Sequence, residues 1–449
     1  MVPGASGNAL EPRTPTSYTM PPPTTAPEKS IDERTPVVTA ALRTYLLSNV
    51  AFLVPSGLFT VLFPWLVVGA LHESPERVGL AQMITQLPPV FLLLFAGLLA
   101  DRFEQRRILV VTHLVVAVAQ LATAWLVASG ALTFASLLWL SLLGGIAGTF
   151  SGPPRDAMLT RVAGAQIQRI VTLVIGLQFG SQAVGFVLAS LTDRVGTAAL
   201  LVLSATLFAL GAIPSARLPS SEPAPATGRR IFHDIGVGLG VALRSERIRP
   251  VLILTFALGM FFIGTFVVLL PLIIRDVYHG DAADLALAFG ANMVGTLVVI
   301  AVLMRRGGVR RQGRAFMLAL LFGSAMLLTL YLHPPYWAFF ALNFVWGLGG
   351  GLTMTMGRSI VQESAPPELT ARLVSIYALA MSAGMPIGSL AIGYAAQMFG
   401  TLNAALLPGI GMALTVLVVY LTSSCWHIAP PESAPAAMPS AAAEAASSA

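Results

Sequence analysis

The residues whose types and spacing can do chemistry are few in this chain. Six histidines and one cysteine, Cys425, are scattered over 449 residues, with no HExxH pair, no CxxC and no carboxylate cluster. No metal centre, redox site or cofactor is therefore expected. No nucleophile, base and orienting group stand together, so no catalytic residue is assigned and the chain does not read as an enzyme. The one dense charged constellation is GLLADRFEQRR, Gly97 to Arg107, where Asp101, Arg102, Glu104, Arg106 and Arg107 crowd between two apolar runs, 78–100 and 108–129. Each run is long enough to cross a hydrocarbon core of about 30 Å as a helix. Charges gathered between two such runs mark a tight turn at a membrane surface.

Composition supports the membrane setting. Hydrophobic residues make up 56% and charged residues 10% of the chain, far from the balance of about 45–50% and 25% in soluble domains. Twelve uncharged spans follow one another: 45–68, 78–100, 108–129, 132–153, 170–192, 197–213, 251–274, 285–304, 315–332, 336–357, 373–397 and 401–424. The net charge of +6 lies in the short loops and sets topology, so nucleic acid is not an expected partner. Of 26 Lys and Arg, only Arg77, Arg194 and Arg275 fall on the side opposite the 102–107 loop. An excess of Lys and Arg marks the cytoplasmic side, and both termini are placed there.

The fold class that follows is an all-α integral membrane protein with twelve transmembrane helices in two pseudo-symmetric six-helix bundles. Residues 1–37, rich in Pro, Thr and Ser, read as a disordered cytoplasmic tail. Residues 38–214 form the N-terminal bundle and 251–426 the C-terminal one, with a disordered tail over 427–449. Between the bundles, 215–250 is a cytoplasmic linker in which Ile231, Ile235, Leu239 and Leu243 recur every four residues, the pattern of an amphipathic helix lying on the membrane. The halves repeat one another. The basic loop 305–314 follows the second span of its half as 102–107 does, and GRSIVQESAPPELTAR (357–372) follows the fourth span as GPPRDAMLTR (152–161) does. Such repeats place a substrate site between the halves near the bilayer midplane.

GLLADRFEQRR resembles the loop signature of the major facilitator superfamily between its second and third helices. Gly97, Leu99, Ala100, Asp101, Arg102 and Arg106 match that pattern, Glu104 stands where the pattern has glycine, and Gln105 replaces a basic residue. The stretches WLVVGALHESPERVGLAQMITQLPPVFLLLFAGLLADR and GLGGGLTMTMGRSIVQESAPPELTARLVSIYALAMSAGMPIGSLAIGY are similar to the drug and siderophore exporter branch, which includes enterobactin-type and macrolide exporters. The resemblance covers residues 40–426. It implies alternating access with a cytoplasmic gate made of Gly97, Asp101, Arg102, Arg106 and Arg372. The start of the eleventh span, near Arg372, carries the partial positive charge that favours an anion such as Asp101. The fifth span, GLQFGSQAVGF (176–186), resembles the family's antiporter signature at Gly176, Gly180 and Gly185, with Ser181 and Val184 departing from it. The fourth, SLLWLSLLGGIAGTF (136–150), lacks the embedded arginine of the proton antiporters, although protons are the coupling ion the resemblance implies.

With no charge inside any span, the cavity suits a neutral, zwitterionic or amphipathic molecule. Polar groups for it are Gln86 and, among the other embedded amides, Gln82, Gln120, Gln178, Gln182, Asn292 and Asn343, with Trp346 for apolar contact. Arg155 and Asp156 after the fourth span, and Arg358 and Glu363 after the tenth, occupy matching ends of the halves as inter-half ion pairs that break in each cycle. The expectation is a secondary active exporter of a small amphipathic compound, such as a drug, siderophore or secondary metabolite. It acts as a monomer in the bacterial inner membrane, with the bilayer and its small-molecule substrate as partners. An importer or lipid flippase of the same fold, and a membrane scaffold or sensor without transport, are the alternatives.

Overall fold

The computed structural model describes residues 40–163, 167–220, 231–306, 309–366 and 369–429. Both predicted tails, apart from 427–429, lie outside the described residues, as does 221–230 of the linker. From Ala40 onward the chain forms one compact unit. Its elements are α1 (Ala40–Ala70), α2 (Pro75–Arg102), α3 (Gln105–Ala128), α4 (Phe134–Ala163), α5 (Ile167–Ala189) and α6 (Thr197–Ala216) in the first half. They are followed by the linker helix α7 (Ile231–Arg244). The second half holds α8 (Ile248–Asp276), α9 (Ala282–Arg306), α10 (Gln312–Leu330), α11 (Tyr336–Ser364), α12 (Thr370–Phe399) and α13 (Thr401–Thr422). Ten of these are long and apolar enough to cross a membrane, and Leu173–Ala189 within α5 is a shorter apolar helix. The 28 residues of α2 reach about 42 Å at 1.5 Å per residue, enough to cross as well.

The elements differ from the expected spans mainly at the arginine-rich ends. GPPRDAMLTR was expected outside the fourth span, yet α4 runs through Pro153 and Pro154 to Ala163. The reason is local: the Arg155 guanidinium lies over the Phe52 ring of α1, 4.0 Å from its centroid, and the Tyr45 hydroxyl donates to the Arg155 carbonyl at 3.3 Å. Cation–π contact with a neighbouring helix keeps the extra turns attached. Helix α4 therefore does carry an arginine, near its end and not at its middle. Helix α11 likewise continues past Gly357 to Ser364.

The two halves share irregularities as well as loops. Helix α1 widens into a π-turn over Leu66–Ala70 and α8 over Leu258–Ile263, each in the first helix of its half. His72 and His279 follow these helices and adopt positive φ, 53° and 51°. A non-glycine residue in that region is uncommon, so its recurrence at corresponding turns reflects one repeated backbone design.

Linker helix α7 forms where its periodicity predicts, but the packed face is different. Gly238 approaches Ile376 and Arg372 of α12, and Ala242 is buried, while Leu239 and Leu243 are exposed. Small residues let α7 lie close on α12, leaving its leucines for the membrane interface. The side chains of Ile231 and Ile235 lie outside the described residues.

Candidate functional site: a cavity beside the seam of the halves

The halves meet through pseudo-symmetric helix pairs, α2 with α12 and α5 with α9. At the end opposite the arginine-rich loops the contact is a backbone seam. A Cβ added to Gly79 would stand 2.6 Å from the Ser389 carbonyl oxygen and 2.9 Å from the Gly393 Cα, so only glycine permits this approach. Farther out, the Arg275 guanidinium of α8 donates to the Glu73 carbonyl at 2.8 Å and to the Val68 carbonyl at 3.3 Å. Phe186 of α5 meets Phe289 of α9 at 6.0 Å, and Phe289 stacks on Phe266 at 4.7 Å.

Asp193, in the turn Thr192–Val195, reaches across to Asp281 before α9. Burial first, and the Asp281 carboxylate second, push its pKa above the ordinary value. Asp281 and Asp284 cap α9 reciprocally, each backbone N–H donating to the other's carboxylate at 3.0 Å, and the Tyr336 hydroxyl donates to Asp284.

Toward the middle, polar side chains replace glycine. Gln86 donates to the Ser389 hydroxyl at 2.9 Å and to the Gln82 carbonyl at 3.0 Å. Gln82 donates to the Val267 carbonyl of α8 at 3.2 Å. Beside this seam lies a cavity of about 310 Å³ whose lining includes Phe52, Phe59, Phe63, Gln82, Gln120 and Ser141. No charged side chain lines it. Gln120 Oε1 and Ser141 Oγ are buried without a hydrogen-bond partner among the described residues. Buried polar atoms are normally paired, because an unpaired one costs roughly 1–3 kcal/mol. Two in one aromatic-walled cavity are suited to a ligand that supplies hydrogen bonds.

At the arginine-rich end, α4 and α11 have no extensive contact. Asp156 and Arg358 face each other closely enough to interact electrostatically, but both are exposed and no ion pair within 4.0 Å joins described residues there. Glu363 instead accepts from Gln312 of its own half at 2.8 Å. Among the described residues, the halves thus meet closely at one end, while α4 and α11 stand apart at the other.

None of Gln86, Gln178, Gln182, Asn292, Asn343 and Trp346 lines the cavity. Gln178 is exposed, and Gln182 presents its backbone to Gly57 of α1. Asn292 donates to the Asn343 carbonyl at 3.3 Å and Asn343 to the Phe339 carbonyl of its own helix at 2.8 Å, while Asn343 Oδ1 is buried without a partner among the described residues. Trp346 stands edge-on to Phe266 and Phe262, at 5.5 and 6.0 Å. Of the embedded amides, Gln82 and Gln120 do line it. Ser141 and the first-span face Phe52, Ser56, Phe59, Thr60 and Phe63 carried a signal in their three- and four-residue spacing.

In the charged loop, Gly97 has open space around its Cα. Arg106 and Arg107 both pair with Glu104 at 2.6 Å. The structure describes the backbone of Asp101, in the last turn of α2, and not its side chain. His113 is fully buried, its Nδ1 is 2.8 Å from the Leu109 carbonyl, and its ring sits between Phe52 and Phe208. Burial pushes the Cys425 thiol up to about 12, which leaves it unreactive.

A family model described as transmembrane secretion effector matches residues 35–441, which include the whole membrane portion. The chain belongs to this family of the major facilitator superfamily. Among curated relatives, the multidrug efflux pump Tap of Mycobacterium tuberculosis (strain ATCC 25618 / H37Rv) is 27% identical over 375 residues, covering 78% of this chain and 87% of the pump. Tap of Mycobacterium bovis (strain BCG / Pasteur 1173P2) matches equally. The nucleoside transporter NupG superposes with a TM-score of 0.67 at 15% identity, covering 85% of this chain and 98% of NupG. PepTSo2 gives 0.62 at 12%, covering 84% and 96%. This all-α, multi-pass membrane protein is a secondary transporter of a small molecule, with the fold of alternating-access carriers.

Proposed function

We propose that this transporter exports small amphipathic compounds whose apolar body carries a hydrogen-bond donor, as multidrug pumps do. The observation that carries this reading is the uncharged cavity with aromatic walls and two unpaired acceptors, Gln120 Oε1 and Ser141 Oγ. A neutral cavity binds through apolar area and a few placed polar groups, and the likeness to Tap adds weight to export. The arginine distribution supports a cytoplasmic placement of the arginine-rich end and of both termini in a bacterial inner membrane. The described arrangement is then the inward-facing state of a monomer, ready to load.

Closure would bring Asp156 of α4 to Arg358 of α11, with Arg155 and Glu363 alongside. It would also engage the gate of Gly97, Asp101, Arg102, Arg106 and Arg372. Protons moving inward are the proposed driving ion. The test is efflux from cells with and without the gene, using hydrophobic dyes, macrolides, fluoroquinolones and siderophores, each with and without an uncoupler. Export predicts lower accumulation with the gene and loss of that difference with the uncoupler. Deletion cells that accumulate less would reverse the direction. Asp101→Asn is expected to abolish flux while expression persists; unchanged flux would remove Asp101 from the gate.

A further inference from the structure

A second cavity, of about 880 Å³, lies away from the seam between the halves. It opens where α2 and α3 diverge from the turn at Phe103 and Glu104; α4 packs on both helices and forms the floor, while α2 and α3 barely touch. Its depth is apolar, with Val111 and Val115 of α3 facing Leu143, Ile146 and Phe150 of α4.

Charge gathers at one end only. Arg102, Glu104 and Arg107 line the mouth. Arg161 stands close by, donating at 3.1 Å to the carbonyl of Ser220 on the rim. Glu104 is largely enclosed and already pairs with both Arg106 and Arg107. Arg107 uses its Nε for that pair and is 81% exposed, so its terminal nitrogens point outward. Arg102 makes no ion pair with any described side chain. Phe103 is half-exposed at the same mouth.

An apolar slot with a cationic mouth at the arginine-rich membrane face has the polarity profile of one anionic lipid. We propose that this crevice binds an anionic phospholipid of that leaflet, its acyl chain between α2 and α3 and its phosphate on Arg102 and Arg107. A zwitterionic headgroup fits less well, because its ammonium would meet the guanidinium groups of Arg102 and Arg107, and Glu104, the carboxylate among the described residues that line the mouth, is already engaged. Bound there, the lipid wedges apart the two helices joined by the charged turn.

The test uses the purified full-length protein with phosphatidylglycerol, phosphatidylcholine of the same chains, or inorganic phosphate. Lipid retention is read by native mass spectrometry and stability by melting temperature. Phosphatidylglycerol should be retained and raise the melting temperature, and the other two should not. The double variant Arg102→Gln/Arg107→Gln should weaken phosphatidylglycerol retention by about 30-fold, the worth of two arginines at a membrane surface. Ile146→Trp fills the slot and leaves the charged turn intact, so a folding fault in the arginine variant does not blunt the test; it too should lose the lipid. Equal retention of both lipids, equal stabilisation by phosphate alone, or full retention by both variants would overturn the proposal.

Discussion

At the scale of single residues, the proposed cargo site rests on groups left wanting a partner. Ser141 Oγ and Gln120 Oε1 are buried and unpaired inside the cavity. Ser141→Ala should leave the melting temperature of the empty transporter unchanged or higher, since it removes an unsatisfied hydroxyl. It should also weaken binding of a donor-bearing cargo by roughly 3- to 10-fold, the net worth of one hydrogen bond. Fluorescence titration of the purified variant measures the second effect and thermal denaturation the first. Gln120→Leu should act likewise. A fall in stability with intact cargo affinity would mean that these atoms hold the fold and not the ligand. The amides were visible in the sequence as polar residues inside apolar spans. Which of them face the cavity was not, because Asn292 and Asn343 spend their donors on backbone carbonyls of their own half, and that choice depends on helix rotation.

At the scale of elements, small residues decide which helices touch. A Cβ on Gly185 of α5 would stand 2.5 Å from the Leu58 amide and the Val54 carbonyl of α1, whereas Gly176 and Gly180 have open space. The glycine-rich pattern of α5 was legible in the sequence, but two of its three matching glycines do not mediate the contact. Gly185→Val should cost about 1–3 kcal/mol or more through overpacking and lower the folded yield. Gly176→Val should stay within about 0.5 kcal/mol. Size-exclusion yield and melting temperature separate them, and equal damage from both would contradict this assignment. Gly79→Leu should prevent α2 from closing on α12; cysteine labelling from the outer side then rises as flux falls.

At the scale of the whole molecule, the proposed inward-facing state is closed at one end, and charge across the seam there should bias its opening. Asp193 and Asp281 come from different halves, with Asp284, Tyr336 and the Ala283 amide nearby. The pKa of Asp193 is raised in the sealed state, by burial first and by Asp281 second, so protonation favours the seal. That contribution is complete below the ordinary carboxylate pKa and is lost as pH rises through the raised value. Labelling at the outer end should therefore increase as pH rises from about 4 to 8, with most of the change in the carboxylate range. Asp193→Asn should flatten the profile, and an unchanged profile would exclude this pair as its source. At the other end, Asp156→Arg should impair transport and Asp156→Arg/Arg358→Asp should recover part of it if the two meet on closure.

Twelve spans, their order, the duplicated loops and the superfamily signature were readable in the amino-acid sequence alone. Lipid leaves backbone groups no partner outside a helix, so apolar length dictates helix formation directly. Where α4 ends was not readable, because Arg155 is held by the ring of Phe52 from another helix. Nor was the place of Gln120 and Ser141 in one cavity, or the closure of Gly79 on Gly393. Apolar residues cover nearly every face of these helices, so periodicity says little about rotation, and only the packing of one helix against the next decides which polar atom meets the cavity and which end is closed.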